Sequence, residues 1–447
     1  MRRICYTLVS IVLLASTAQA QDAQHLSLSD CMAYALKHNY NIKNAQLDVL
    51  IQHIQNNETL SASYPHINGK AELDDFLNPT KTFIAANNFD KTAPANLIVG
   101  FPFSLNYAGT AALSGSQLIF DGAVFIAWKA RNSVMELASQ NEQVSEENVR
   151  YNVYKAYNSL VIAYRQYAIL KHSLVYARSL EHDLEVTRQS GFAEKIDVER
   201  TSVQVNNLSA DSIRIGNMLT VSEQVLKYQM GMDINAPIIL TDTVIEERRQ
   251  NILSLLDEKE QYDRVPEYNV VNTSLTLNRY NLRRYQLSAW PTLNAFGAMG
   301  YNYGANKFND IMSFSNYAFN SMVGLQLNIP IFNGAIRINQ VREARLNIEK
   351  SRNNIENMKQ TIDFMAAQSR TTLKNAMLQV QSQRRNMELA DDVLDLAQRK
   401  YKAGVGSNLE VTQAQTDQLR AQTNYFSAML DVINAEADLK KALGLLK

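Results

Sequence analysis

Six histidines, two cysteines and 44 acidic residues are the groups in this 447-residue sequence that could hold a metal ion or move a proton. His25, His38, His53, His66, His172 and His182 show no metal-ligand spacing, although His172 and His182 share one long helical run. They read as solvated helix or strand residues. No G-x-S-x-G, Walker or H-E-x-x-H motif occurs, so no nucleophile elbow, phosphate cradle or zinc helix is encoded. Gly297 and Gly300 fall in a strand pattern and are not a phosphate loop. The carboxylate pairs Glu146-Glu147 and Asp391-Asp392 lie on long helical runs and read as exposed charge. Forty-four Lys and Arg balance 44 Asp and Glu, which excludes a nucleic-acid binder built on bulk charge. The expectation is a protein with no catalytic site, no metal and no cofactor.

The elements must then carry the function. The chain is 46% hydrophobic and 20% charged, too apolar for disorder. Its N-terminus reads as an export signal. Arg2 and Arg3 precede the apolar run Ile4 to Leu14, and Ala18-Gln19-Ala20 is an A-x-A cleavage site. Cleavage removes Cys5 and leaves Cys31 alone, so no intrachain disulfide can form. Cys31 reads as a small helix residue and not a nucleophile. Beyond the signal there is no apolar run long enough for a spanning helix.

Two runs lack Gly and Pro altogether, Ala123 to Ser190 and Ala335 to Ala403. As continuous helices each would measure about 100 Å, against about 11 to 12 residues for an average globular helix. Apolar residues recur at three- and four-residue steps, as in Ile355, Met358, Ile362 and Met365, with polar residues opposite. The two runs belong to an internal repeat. Phe120-Asp121-Gly122 returns as Phe332-Asn333-Gly334, and Ser190-Gly191 as Ala403-Gly404. Ile196-Asp197-Val198 matches Leu409-Glu410-Val411, and Leu226-Lys227 with Gly231 matches Leu439-Lys440 with Gly444. Tyr64-Pro65 matches Trp290-Pro291. Each half reads helix, strand pair, very long helix, glycine turn, medium helix.

The strand segments alternate with period two. Ile67, Gly69, Ala71 and Leu73 oppose His66, Asn68, Lys70, Glu72 and Asp74. Phe103, Leu105, Tyr107, Ala111 and Leu113 oppose Ser104, Asn106, Thr110 and Ser114. Leu293, Ala295, Met299 and Tyr301 oppose Thr292, Asn294 and Asn302, and Val323, Leu325, Leu327 and Ile329 oppose Gln326 and Asn328. Aromatics gather near the ends, at Tyr64, Phe101, Phe103, Trp290, Tyr301 and Tyr303. A soluble sheet with one wet face and a membrane barrel share this alternation. Four strands cannot close a barrel, and an open edge cannot sit in lipid, so a spanning barrel demands several copies of the chain. Two copies would give eight strands with little lumen, and three would give twelve.

These features together resemble the TolC-type outer-membrane efflux proteins (outer membrane factors) over nearly all of Leu26 to Leu446. The motifs that carry the resemblance are Tyr64-Pro65 and Trp290-Pro291, Leu118 to Gly122 and Ile329 to Gly334, Tyr401 to Val405 with Glu410 to Ala414, and Ala442-Leu443-Gly444. The resemblance implies a mostly α protein with a transmembrane β-barrel: a homotrimer of TolC-like α/β barrel type, four strands per chain in one shared 12-stranded barrel, and a long periplasmic helical tunnel. Its parts would be the signal peptide 1–20, a first repeat 21–231, an equatorial connection 232–263 and a second repeat 264–447. The first repeat would hold helix 26–62, strands near 64–76 and 100–118, long helix 122–189 and helix 193–230. The second would hold helix 264–289, strands near 291–303 and 320–332, long helix 334–402 and helix 405–443. Residues 78–98 and 304–318 would be exposed loops. The medium helices would stack end to end beside the long ones, and the three residues after Gly444 would add nothing to the equatorial belt.

The resemblance also implies an exit channel in the outer membrane of a Gram-negative cell. It would carry small molecules received from a periplasmic adaptor and an inner-membrane pump of RND or ABC type, with membrane lipid around the barrel and no nucleic acid. By this resemblance Ser190, Gly191 and Phe192 with Ala403, Gly404, Val405 and Gly406 are the adaptor-contacting tips. Asp197 and Glu410 are the acidic ring at the entrance, six carboxylates in a trimer. Asp121-Gly122 and Asn333-Gly334 are the strand-to-helix turns. Arg200 and Gln413 replace the second acidic position, and Gly406 or Ser407 stands where an Arg is common. A type I protein-secretion conduit shares the body. A pore-less periplasmic coiled-coil scaffold and a secreted enzyme are the readings outside the channel class.

Overall fold

The structure, a computed structural model, describes residues 24–94, 96–102, 105–241, 249–313 and 317–446. The export signal 1–20, with Cys5 in it, and the strand positions Phe103 and Ser104 lie outside the described residues, as do residues 242–248 of the connection. In chain order the elements are β1 Gln24–Leu26, α1 Leu28–His38, α2 Tyr40–Ser61, β2 His66–Asp75, β3 Lys81–Ala85, β4 Ile98–Pro102, β5 Tyr107–Phe120, α3 Gly122–Gln189 and α4 Lys195–Met230. They continue as β6 Ile238–Leu240, α5 Arg249–Asp257, α6 Pro266–Leu287, β7 Thr292–Ala305, β8 Tyr317–Asn328, α7 Ile336–Lys402 and α8 Asn408–Ala442. The two long helices have 68 and 67 residues. Among the described residues no helix is long and apolar enough to cross a membrane.

The chain divides into two compact units. One comprises Ile51–Met135 and Ser274–Ser351. Its sheet has the order β2-β5-β7-β8, all antiparallel. Residues opposite one another across a ladder point to the same side, so the register defines two faces. One face carries Ile67, Leu113, Met299, Tyr301 and Phe319, and the other His66, Glu72, Thr110, Asn302 and Gln326. Tyr301 packs on Phe319 at 5.3 Å and Tyr303 on Tyr317 at 5.0 Å, an aromatic band at one end of the apolar face. Trp290 stacks on Phe120 at 6.2 Å at the other. Every residue of β2 and nearly every residue of β8 is exposed.

The other unit comprises Met1–Leu50, Glu136–Thr273 and Arg352–Lys447. Its cores are patches along the helices, not one globule. The largest joins Cys31, Ala35 and Ile42 to Val149, Val153, Tyr157 and Leu160 of α3 and to Leu226 and Met230 of α4. Another joins Ala366 and Leu373 of α7 to Leu439 and Leu443 at the end of α8. The short strand β1 pairs in parallel with β6.

Several expectations are corrected. The helix read as 26–62 is broken at Asn39, whose ψ of 133° leaves the helical region. Its Oδ1 accepts the N–H of Asn41 at 2.8 Å and its Nδ2 donates to the carbonyl of Gln229 at 2.7 Å, so an Asn side chain replaces helical bonds at the break. α1 starts with a capping box between Ser27 and Asp30. The loop expected at 78–98 contains β3, which pairs with β4, and the strand expected from 100 to 118 begins at Tyr107. The strand expected to reach 332 stops at Asn328, because the Ile329-Pro330 segment cannot continue a ladder. Glu147 is not exposed charge: it is 5% accessible on α3. Asp391 accepts Gln418 at 2.7 Å and Gln422 at 3.3 Å, which pins α8 to α7.

The glycines at equivalent places in the two repeats end α4 and α8 alike. Gly231 has φ 71° and Gly444 φ 65°. A Cβ on Gly231 would lie 2.7 Å from the carbonyl oxygen of His38, and one on Gly444 would lie 2.5 Å from that of Arg264. The C-terminus of α4 thus abuts the α1–α2 joint, and that of α8 abuts the approach to α6. Gly231→Ala combines a left-handed penalty of about 1–2 kcal/mol with a backbone clash, for a total loss of roughly 2–4 kcal/mol. Thermal unfolding of the detergent-purified chain checks this; an unchanged midpoint would show that the joint is not packed this way.

Candidate functional site

The two predicted tips are built alike. α3 ends at Gln189, and Gly191 adopts φ 81°. Its N–H donates to the carbonyl of Arg188 at 2.9 Å, while the N–H of Phe192 reaches that of Thr187 at 3.0 Å. At the second tip Gly404 has φ 75°, with Gly404 N–H to Tyr401 carbonyl and Val405 N–H to Lys400 carbonyl, both at 3.0 Å. Both are Schellman endings, which need a left-handed residue just after the helix. Nothing lies within 4 Å of where a Cβ would sit on either glycine, so φ alone selects glycine here. Ser190 and Ala403 precede the glycines and are exposed, and Gly406 adds a second N–H to the Lys400 carbonyl at 3.1 Å. Phe192 is 86% and Val405 79% exposed, two apolar side chains standing in solvent at the ends of a polar helix pair.

Asp197 and Glu410 occupy the same place, the third residue of α4 and of α8. An acid there is favoured by the helix dipole whatever else it does. The surroundings differ. At the second tip the Ser407 hydroxyl accepts the N–H of Glu410 at 3.2 Å, while Glu194 makes no such cap for α4. Glu410 is exposed and Asp197 half-buried. Burial pushes the Tyr401 hydroxyl above its ordinary pKa, and the charges of Asp197 and Asp183 push it further, so these three groups share one neighbourhood. Arg188 and Gln189 hold the Glu185 carboxyl down to about 2 beside the first tip.

Sequence reasoning missed the residues that tie the tips together. Asn408 is buried at the first turn of α8. Its Nδ2 donates to Thr201 Oγ1 at 3.1 Å and to the Asp197 carbonyl at 3.4 Å. Gln415 donates to the Ser173 carbonyl on α3 at 3.0 Å, and Gln204 to Thr416 at 3.2 Å. Leu180, Leu184, Leu394, Ala397, Val411 and Ala414 fill the space between. The available signal was the run Asn408, Val411, Gln415, amides at heptad spacing on the buried stripe of α8.

The strand-to-helix turns are not alike, although their sequences match. Asp121 Oδ1 caps α3 by accepting the N–H of Ala123 at 2.7 Å, and Gly122 is the first helical residue. In the second repeat Gly334 and Ala335 both have positive φ, 64° and 67°, and α7 starts at Ile336, with the Asn333 carbonyl accepting its N–H at 3.3 Å. The same three-residue motif is a cap in one half and a left-handed turn in the other.

Residues 270–445 match the family model described as outer membrane efflux protein. The chain as a whole superposes on the crystal structure of the outer membrane protein VceC from Vibrio cholerae, at 16% identity and a TM-score of 0.68, covering 93% of this chain and 96% of that one. The fold is that of the TolC-type outer-membrane efflux channels. In sequence the chain is 21% identical over 361 residues to the outer membrane protein TolC of Escherichia coli, covering 76% of this chain and 70% of that protein. It is 32% identical over 124 residues to the toluene efflux pump outer membrane protein TtgC of Pseudomonas putida, covering 27% of this chain and 25% of that protein. The resemblance drawn from the strand and turn motifs therefore holds for both repeats in fold, and in family sequence for the second.

Removing the Ser407 cap should destabilise the first turn of α8 by about 1 kcal/mol. Ser407→Ala should speed amide exchange at Leu409 and Glu410 several-fold, while Glu194→Ala leaves the first turn of α4 unchanged. Equal effects at both tips would refute the difference in capping.

Proposed function

We propose that this chain is the outer-membrane exit channel of a tripartite efflux system, a passive conduit that takes small molecules from a pump and periplasmic adaptor to the exterior. The observation that supports this best is the amphipathic four-stranded sheet whose outer strands, β2 and β8, each pair on one side only among the described residues. An edge of unpaired N–H and C=O groups is excluded from lipid, and three copies would supply a closed barrel of twelve strands. Lipid would meet the face of Ile67, Met299, Tyr301 and Phe319, and the lumen the face of Glu72, Thr110 and Asn302. The names of the similar proteins, an efflux pump component among them, support the cargo class.

On this reading Phe192, Val405 and the glycine turns at Gly191, Gly404 and Gly406 are the surface an adaptor grips, and the pump behind it is of RND or ABC type. Asp197 and Glu410 form the entrance ring. Carboxylates gathered about one axis raise the local cation concentration and disfavour anions. Asn408, through the Asp197 carbonyl and the Thr201 hydroxyl, holds the first turn of α8 against the start of α4 and so sets the spacing of that ring within a chain.

Single-channel conductance in a planar bilayer, with and without Asp197→Ala plus Glu410→Ala, tests the proposal. The expected result is a small cation-selective conductance that grows and loses selectivity in the double variant. Conductance unmoved by the variant would remove the ring and leave the channel. Absence of conductance from a protein that stays soluble without detergent would overturn the channel in favour of a scaffold.

A further inference from the structure

Glu147 is a buried carboxyl group that no part of the conduit mechanism uses. It lies on α3 with 5% exposure, and its Oε2 has no hydrogen-bond partner. Two charged groups act on it through space: Glu267, in the first turn of α6, and Lys441, in the last turn of α8, which packs on α3 here. Lys441 is turned to its neighbour instead, donating Nζ to Asn148 Oδ1 at 2.6 Å and lying 4.8 Å over the Tyr151 ring. Neighbouring charges on α3 and α8 form ion pairs of their own. Lys155 holds Asp438 at 2.7 Å, Lys440 holds Glu436 at 2.6 Å, and Arg150 holds Glu146 at 3.6 Å. The seam lies where the end of α8, at Gly444, meets the approach to α6 at Arg264.

A carboxylate in such a place is penalised by lost hydration, and a second carboxylate facing it adds to the penalty. Burial first and then Glu267 push the Glu147 carboxyl up to about 7, against the opposing pull of Lys441. The orphaned oxygen and the diverted lysine fit the protonated form.

We propose that Glu147 is a proton-operated latch at the junction of α3, α6 and α8. Protonated, it lies neutral in the packed seam while Lys441 bonds Asn148. On ionisation its proton passes to solvent, and the carboxylate draws Lys441 away from Asn148 while repelling Glu267. The last turn of α8 then changes its partner on α3, and the α8–α6 joint loosens. The pKa is raised on folding, so the folded form binds the extra proton. The associated stability is complete below the model-compound value of 4.5 and is lost as pH rises through about 7.

Thermal unfolding of the full detergent-purified chain between pH 5 and pH 8.5 tests this without any transport assay, so it stands or falls apart from the channel reading. The wild-type midpoint should fall over that range and level off above neutrality. Glu147→Gln, which keeps shape and removes the charge, should remove this fall and lie above wild type at pH 8. Lys441→Met should deepen it, since the ionised carboxylate then has no partner to draw. Infrared spectroscopy gives a readout that needs no stable variant: a protonated-carboxyl C=O band in wild type that disappears near pH 7 and is missing from Glu147→Gln. Parallel pH profiles for wild type and Glu147→Gln, or a carboxyl band already lost near pH 4.5, would overturn the latch.

Discussion

The ladder between β5 and β7 is the joint on which the sheet-bearing unit depends. It runs from Tyr107 opposite Ala305 to Phe120 opposite Leu293, and it is where the two repeats of the sequence meet as neighbours. β5 passes directly into α3, and β7 is entered from α6. The register therefore also decides that Gly122 meets Leu287, with barely 3.0 Å to where a Cβ would be. A slip of one residue would turn every apolar side chain of one strand to the polar face. With this ladder in place the outer strands β2 and β8 are left as edges, and the need to satisfy those edges follows.

The helical unit solves a different problem. Helices of 67 and 68 residues cannot bury one continuous stripe against short partners, so the cores form separate patches along them. Alongside the patches the contacts are polar and directional: Asn408 to Thr201, Gln415 to Ser173, Gln418 to Asp391. A buried amide is costly unless its partner is in place. Such contacts fix how the helices slide past one another, which leucines alone would leave loosely specified.

The repeat shows which features obey backbone geometry and which obey local chemistry. The left-handed glycines recur at equivalent positions, Gly191 with Gly404 and Gly231 with Gly444, because a helix that must stop and turn back has few ways to satisfy its last carbonyls. The side-chain caps do not recur. Ser407 caps α8 whereas Glu194 leaves α4 uncapped, and Asp121 caps α3 whereas the second turn uses Gly334 and Ala335 in left-handed conformations.

The sequence by itself determined the element types, the two-fold repeat, the glycine turns and the amphipathic strands. Each of these is written in the periodicity of neighbouring residues or in the special φ range of glycine. Asp197 and Glu410 were legible as equivalent positions because they stand at the same offset from those turns. Only the tertiary structure decided that β5 pairs with β7 and so joins the two repeats, that residues 81–102 form a hairpin of their own, and that helix 26–62 breaks at Asn39 to meet Gln229. It also decided that Glu147 lies inside while Asp392 on a similar helix lies outside. The reason is physical. A carboxylate on a long polar helix looks the same in sequence whichever way it faces, and the charges that act on Glu147 once it is buried, Glu267 and Lys441, come from more than a hundred residues away along the chain.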